Sequence, residues 1–286
     1  MKLRILVDNN TLIDRYFIGE PGLSIFIETD GTRILFDTGY SNIFLANADR
    51  MGIDLLDVDT VVISHAHLDH TWGLQHLIQR HAEAAFEHAP AKRPALVAHP
   101  TVFDPRTVAG IGEIGSLVSK EKAAAWFDLR LNHQPVWLAP GLVFLGQIER
   151  ANDFEAQTPI GRVQTAGGDQ KDDYLLDDSA LVFKSAEGLV IIAGCAHAGI
   201  CNIISQAMAV CGETRIADIV GGFHLLDPPP RQLEETVRRF EQWAPGAVHA
   251  CHCTDLASKL ALSRVVPIKE VGVGLELSYL RANVSE

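Results

Sequence analysis

Ser64-His65-Ala66-His67-Leu68-Asp69-His70 follows directly on Thr60-Val61-Val62-Ile63, an apolar β-branched run of the kind that forms a strand buried on both faces. Residues two apart on an extended chain point the same way, so His65 and His67 present their imidazoles together. Asp69 and His70 stand where the chain turns into a helix, predicted over residues 69–81, and can face the same cavity from its other side. Four ligand-type side chains within six residues, at the carboxyl end of a strand, can make two adjacent half-sites. Imidazole and carboxylate are ligands that zinc, iron and manganese accept. A solvated turn has no need of three imidazoles and a carboxylate at the mouth of a buried strand, so the stretch reads as a metal site. Ser64 is not read as a nucleophile, because no glycine elbow surrounds it.

Upstream, residues 3–7 are apolar, and residues 23–28 and 33–37 flank Asp30-Gly31-Thr32, a hairpin turn in which Gly31 supplies the positive φ. Asp37-Thr38-Gly39 closes the hairpin and caps a helix over residues 42–51. Downstream, residues 82–94 read as a helix end and a loop, and residues 95–99 and 136–138 as strands, with 141–146 continuing after a Pro-Gly turn. Residues 165–178, with Gly167-Gly168 and Asp172-Asp173, read as a loop or lid, the plainer reading being a solvated acidic loop. The last third alternates: strands at 180–184 and 189–193, a helix at 202–210, a strand at 217–221, a helix at 231–243, a strand at 247–251, a helix at 255–263 and a strand at 271–280. Strands first and strand–helix units later predict packed layers of sheet and helix. With no internal repeat and no linker, residues 1–286 are expected to form a single domain.

Of 286 residues, 47% are hydrophobic and 21% charged, which excludes a disordered tail, a collagen-like repeat and a disulfide-stapled miniprotein. Lys plus Arg is 24 against 36 for Asp plus Glu, a net charge of −12 that argues against nucleic-acid and anionic-membrane partners. Five cysteines, an odd number confined to the last third, read as reduced thiols of a cytoplasmic protein. The first residues are charged too soon for a signal peptide, and no apolar stretch approaches the roughly 18 residues of a membrane span.

The motif at residues 64–70, preceded by Leu35-Phe36-Asp37-Thr38-Gly39, resembles the metallo-β-lactamase-fold superfamily. Gly194-Cys195-Ala196-His197-Ala198-Gly199-Ile200, Gly221-Gly222-Phe223-His224-Leu225 and His252-Cys253-Thr254 extend the likeness to the carboxyl end. They resemble one branch, the 7,8-dihydropterin-6-methyl-4-(β-D-ribofuranosyl)aminobenzene-5′-phosphate synthase-like proteins. The resemblance implies an α/β (α+β) fold, a four-layer αββα sandwich with one or two metal ions at one edge: zinc, with manganese or iron as alternatives. It further implies that His65 and His67 hold a first metal and Asp69 and His70 a second, with Asp37 bracing the loop or merely capping a helix.

The remaining ligands must come from the carboxyl half, where His197, His224 and His252 each follow a predicted strand. His197 is assigned to the first metal and His252 to the second, leaving His224 for substrate contact or proton transfer; His224 and His252 could exchange roles. Most superfamily members carry Gly-Asp where this chain has Gly194-Cys195, and that Asp bridges the metals. Cys195 could ligate as thiolate, pack as a small hydrophobe, or leave the position to His197; Asp178 is an alternative carboxylate. Cys251 and Cys253 alternate with His252 and are read as packing away from it. Arg150 could meet a phosphate, and Asp8-Asn9-Asn10 could reach the cavity rim.

The expected activity is metal-dependent hydrolysis of a small, phosphate-bearing molecule, a phosphoester or pyrophosphate. Metal-bound hydroxide would be the nucleophile, with Asp69 orienting or deprotonating the water and His224 protonating the leaving group. A lactone or other acyl substrate is an alternative. So is a transferase that releases pyrophosphate from a pterin-methyl substrate stacked on Trp72, Phe223 or Phe154.

Overall fold

Runs of apolar residues with both faces buried decide how the strands stack. In chain order the first half comprises β1 (Lys2–Val7), β2 (Ser24–Thr29), β3 (Thr32–Phe36), α1 (Ile43–Arg50), β4 (Thr60–Val62), α2 (Leu68–Thr71), α3 (Leu74–Phe86), β5 (Ala95–Ala98), β6 (Arg106–Val108), β7 (Gly112–Glu113), α4 (Lys120–Trp126) and β8 (Asp128–Leu131). The second comprises β9 (Val136–Ala139), β10 (Leu142–Phe144), β11 (Arg162–Gln164), β12 (Gln170–Asp172), β13 (Ala180–Ser185), β14 (Gly188–Ala193), α5 (Ile200–Cys211), β15 (Ile216–Gly222), α6 (Pro230–Trp243), β16 (Ala247–Cys251), α7 (Leu256–Leu262) and β17 (Glu276–Ser278). This computed structural model describes residues 1–165 and 167–282; Ala166, inside the segment read as a loop or lid, lies outside the described residues, as do 283–286.

One sheet has the order β17-β1-β2-β3-β4-β5-β8 and the other β16-β15-β14-β13-β10-β9. Between them Ile34, Phe36 and Val62 of the first meet Val190, Ile192 and Val220 of the second. Their chain neighbours point the opposite way. Leu35 and Val61 pack with Phe44 of α1 and Leu74 and Leu77 of α3, while Leu189 and Ile191 pack with Ile203 and Ile204 of α5 and Phe240 of α6. Each such side chain contributes about 1.5–3 kcal/mol by leaving water. The outcome is the expected αββα sandwich. Among the described residues no helix is long and apolar enough to cross a membrane.

The hairpin and the parallel run β14-α5-β15-α6-β16 lie where predicted. Three elements differ. The helix expected over 69–81 is two helices, α2 and α3, broken at Gly73. That residue lies so close to Thr38 that a Cβ would stand 2.0 Å from its carbonyl oxygen. Of the strand expected over 271–280 only Glu276–Ser278 pairs in the sheet, because the chain at Gly272 crosses the backbone of Asn10 and Thr11. The segment 165–178 is a solvated acidic loop only in part: Asp169 and Asp172 are exposed, but β11 and β12 form a hairpin that joins β6 and β7 in a small third sheet, and Asp173, Asp177 and Asp178 are buried.

Arg106 explains the burial of Asp173 and Asp177. Its guanidinium donates to Asp173 Oδ2 at 2.9 Å and to the carbonyls of Thr101 and Asp104, and lies 2.9 Å from Asp177 Oδ1. Asp177 in turn accepts the amide of Ala66, inside the histidine motif, at 2.8 Å. Replacing Arg106 with Met leaves two buried carboxylates uncompensated. The expected cost is about 3–5 kcal/mol in urea unfolding, and a loss below about 1 kcal/mol would refute this account.

Candidate metal centre

Loops leaving the carboxyl ends of β3, β4, β14, β15 and β16 converge where the two sheets meet. They carry Asp37; His65, His67, Asp69 and His70; Cys195 and His197; His224; and His252 and Cys253. Several of these loops hold a non-glycine residue in the left-handed region: Asp37 (φ 57°), Ala196 (54°), His224 (49°) and His252 (51°). Such conformations cost on the order of 1–3 kcal/mol each and persist only where the surroundings enforce them.

One ring nitrogen from each of His65, His67 and His197 lies within 4.8 Å of the other two. Nε2 of His65, Nε2 of His67 and both ring nitrogens of His197 are buried without a hydrogen-bond partner. Orphaned buried lone pairs are costly unless a cation takes them, so this donor set fits a metal ion. Asp69, His70 and His252 form a second group, with His252 Nε2 3.2 Å from both Asp69 Oδ2 and His70 Nε2. Cys195 joins the two, since its Sγ forms a further close group with His65 and His70. His224 stacks at a tilt on His197, ring centres 4.3 Å apart, and groups with Cys195 and Cys253.

A sequence model of the metallo-beta-lactamase superfamily matches residues 18–161. The chain belongs to that superfamily. It is 26% identical over 267 residues to the 7,8-dihydropterin-6-methyl-4-(beta-D-ribofuranosyl)-aminobenzene-5'-phosphate synthase of Methanocaldococcus jannaschii, covering 89% of this chain and 87% of that protein. An uncharacterised protein of the same organism is 27% identical over 268 residues, covering 92% of this chain and 94% of its own. A crystal structure described as a metal-dependent hydrolase of the beta-lactamase superfamily superposes with a TM-score of 0.81 at 27% identity, covering 98% and 99% of the two chains. The metallo-beta-lactamase fold implies a divalent metal, consistent with the orphaned nitrogens.

The imidazoles of this metallo-beta-lactamase-fold site are tuned apart. Burial holds His65 and His197 well below the usual range, reinforced by the neighbouring imidazoles, and lowers His67 to about 4. All three are therefore neutral near pH 7, the state in which an imidazole can ligate. Burial opposes the charge on His70 too, but Asp69 and Asp37 outweigh it and raise the pKa to about 9. Asp69 is held low despite burial by His70 and His252. At the sulfurs, burial opposes ionisation of Cys253, yet the Cys195 thiol, His252 and His224 hold it well below the usual range; hydrogen bonding to Cys253 and burial push Cys195 up.

Asp37 braces the motif and does not cap α1, whose N-cap is Asn42. One oxygen accepts the Ser64 amide at 2.7 Å; the other lies 2.7 Å from both Ser64 Oγ and His70 Nδ1. Asp8 Oδ1 accepts the His252 amide at 2.9 Å, and Asn9 Oδ1 lies 3.2 Å from His252 Nδ1, so the first loop does reach the rim. Asp178 is fully buried, with burial raising it to about 7, and it accepts the Ala198 amide at 2.8 Å outside every ligand group.

Three expectations are corrected. Cys253 does not pack away from the site: the left-handed turn at His252 ends the strand's alternation and brings Cys253 Sγ to 2.9 Å from Cys195 Sγ. Arg150 does not face the histidines, because its guanidinium donates to the carbonyls of Tyr174 and Leu175 and lines a separate cavity with His99 and His133. Phe223 is buried against Phe240 and offers no stacking face. The cavity beside His197 and His224, about 310 Å³, is lined instead by Phe154, Tyr174, Leu226 and Arg231 among others. Arg231, paired with Asp153 at 2.7 Å, is the one Lys or Arg among the described residues lining it. It sits on an ordinary-looking helix, and no local signal singled it out.

Two outcomes follow from this geometry. Asp37→Asn weakens metal affinity by about 10–100-fold, measured by competition with a chromophoric chelator, while the fold survives. The metal-free protein loses stability on acidification from pH 6.5 towards 4, followed by urea unfolding in chelator. There the unfolded chain, with histidine at 6.5, binds protons that folded His65, His67 and His197 refuse. Asp178, raised to about 7, slopes the other way together with the burial-raised carboxyls of Glu155, Asp104 and Asp173, while the burial-lowered rings of His81 and His99 add to the loss. His70 adds nothing to this slope, its contribution being complete below 6.5 and lost as pH rises through 9. Rising stability in that window would sink the assignment.

Proposed function

We propose that this superfamily member is a metal-dependent hydrolase acting on a small phosphoester or pyrophosphate, with residues 1–286 working as one domain. The observation that carries the reading is the convergence of His65, His67 and His197, their free nitrogens buried, beside an open cavity. In this reading they hold one cation, zinc by preference with manganese or iron as alternatives. Asp69, His70 and His252 would hold a second. Cations held there would supply Lewis acidity and would lower the pKa of a water from 15.7 to about 7.

The chain's own groups do the rest. Asp69, ionised at neutral pH, orients the attacking water and accepts its proton. His224, on the cavity wall, gives a hydrogen bond or a proton to the leaving oxygen through one ring nitrogen. Arg231 can release Asp153 to meet the substrate's phosphate bidentately, the role expected of Arg150 from sequence. The volume of about 310 Å³ suits a small molecule.

A pterin-methyl transferase is the second reading, favoured by the named relative and by Phe154 and Tyr174 on the cavity wall. Incubation with a pterin-methyl pyrophosphate and an aminobenzene acceptor separates the two: a condensed product supports transfer, the free alcohol hydrolysis. For the leading reading, His67→Ala is expected to lose bound metal and to cut turnover of the best substrate in a phosphodiester, phosphomonoester and lactone screen by at least about 10³-fold. Wild-type protein purified without chelators and free of transition metal by elemental analysis would overturn it.

A further inference from the structure

Cys195 and Cys253, on different strand ends, bring their sulfurs to 2.9 Å while both remain free thiols. The approach is built into the backbone. A Cβ at Gly222 would stand 2.6 Å from Cys253 Sγ, so the close passage of the two loops depends on that glycine. The His224 amide donates to Cys253 Sγ at 3.2 Å, the Phe223 amide donates to Thr254 Oγ1 at 3.1 Å, and Leu225 bridges to Thr254. Two of the residues in the left-handed region, His224 and His252, lie in these two loops. Independently, His224 Nδ1 is buried with no hydrogen-bond partner.

We propose that Cys195, His224 and Cys253 form an additional, sulfur-rich cation site, contiguous with the histidine–aspartate centre through Cys195 and suited to a thiophilic divalent ion of the zinc or cadmium class. One ligand atom from each already lies within 4.8 Å of the other two. Two thiolates and an imidazole prefer soft or borderline ions, and they disfavour magnesium and calcium. Cys253 is partly exposed, which gives an ion a way in. With one ring nitrogen on the cation, His224 keeps the other N–H to donate a hydrogen bond to the leaving oxygen, the first of the two roles proposed for it. The site shares a cavity wall with that chemistry but does not depend on it.

The test uses the full chain, reduced and stripped of metal, titrated with cadmium ion. Two readouts are followed: the ultraviolet thiolate-to-cadmium charge-transfer band and cadmium bound per chain. A band is expected in the wild type that falls by about half in Cys253→Ser or Cys195→Ser and vanishes in the double variant, each sulfur ligand contributing separately. Cadmium uptake at the histidines should persist in that double variant. No wild-type band, or one unchanged in Cys253→Ser, overturns the proposal, as does a Cys195–Cys253 disulfide that survives reductant. Should a serine variant fail to fold, alkylation of wild-type protein decides: cadmium is expected to protect Cys253 from iodoacetamide, and equal labelling with and without cadmium refutes the site. Loss of metal in His67→Ala reports on the histidine centre alone, so the two readings fail separately.

Discussion

The carboxylate of Asp37, fully buried at the end of β3, is the constraint on which the rest of the site depends. Both its oxygens are committed to the next strand's loop, to the amide and hydroxyl of Ser64 and to the ring of His70. With Nδ1 of His70 occupied, Nε2 is the nitrogen turned towards Asp69 and His252. A Cβ on Gly194 would stand 2.2 Å from Ser64 Oγ and 3.0 Å from Asp37 Oδ2. The second sheet thus closes over the same carboxylate.

The same device recurs around the centre. Asp177 takes the Ala66 amide, Asp178 that of Ala198, and Asp8 that of His252, while Glu155 takes those of Cys201 and Asn202 at the start of α5. Every loop that carries a proposed ligand is tied down by a carboxylate from another part of the chain, the one bearing His224 through the Asp227 amide, which donates to Asp255 Oδ2 at 2.8 Å. Charge-assisted bonds to backbone amides are strong, and at the first turn of α5 the helix dipole adds to them. Because these anchors grip the backbone, the imidazoles of His65, His67 and His197 keep free nitrogens. At the His65–His67–His197 group rigidity is supplied by carboxylates, and coordination capacity is left to neutral rings.

What was legible in the sequence was local. The apolar runs of β3, β4, β14 and β15 announce strands buried on both faces, and the histidine motif announces its chemistry through spacing alone. His197, His224 and His252 stood out because the parallel strand–helix units place successive strand ends side by side. What was not legible depends on partners far along the chain. Asp173 and Asp177 look like solvated acids until Arg106, some seventy residues earlier, is seen to neutralise them. The direction of Arg150 is set by two carbonyls in another loop. Cys253 escapes the strand pattern because alternation holds only while a strand lasts, and β16 ends at Cys251, one residue before His252. The small sheet of β6, β7, β11 and β12 has strands of two or three residues, too short to show a period.

The two groups of the histidine–aspartate centre each draw on both halves of the sandwich, His65 and His67 with His197, and Asp69 and His70 with His252. An ion gripped by such a group rivets one sheet to the other. Occupancy then enters the folding equilibrium directly: a thousandfold excess of free ion over its dissociation constant is worth about 4 kcal/mol, a sizeable share of the stability of an ordinary domain. The cohesion of the two halves would then rise and fall with the supply of the ion, and starvation for metal would threaten the molecule's lifetime as well as its chemistry.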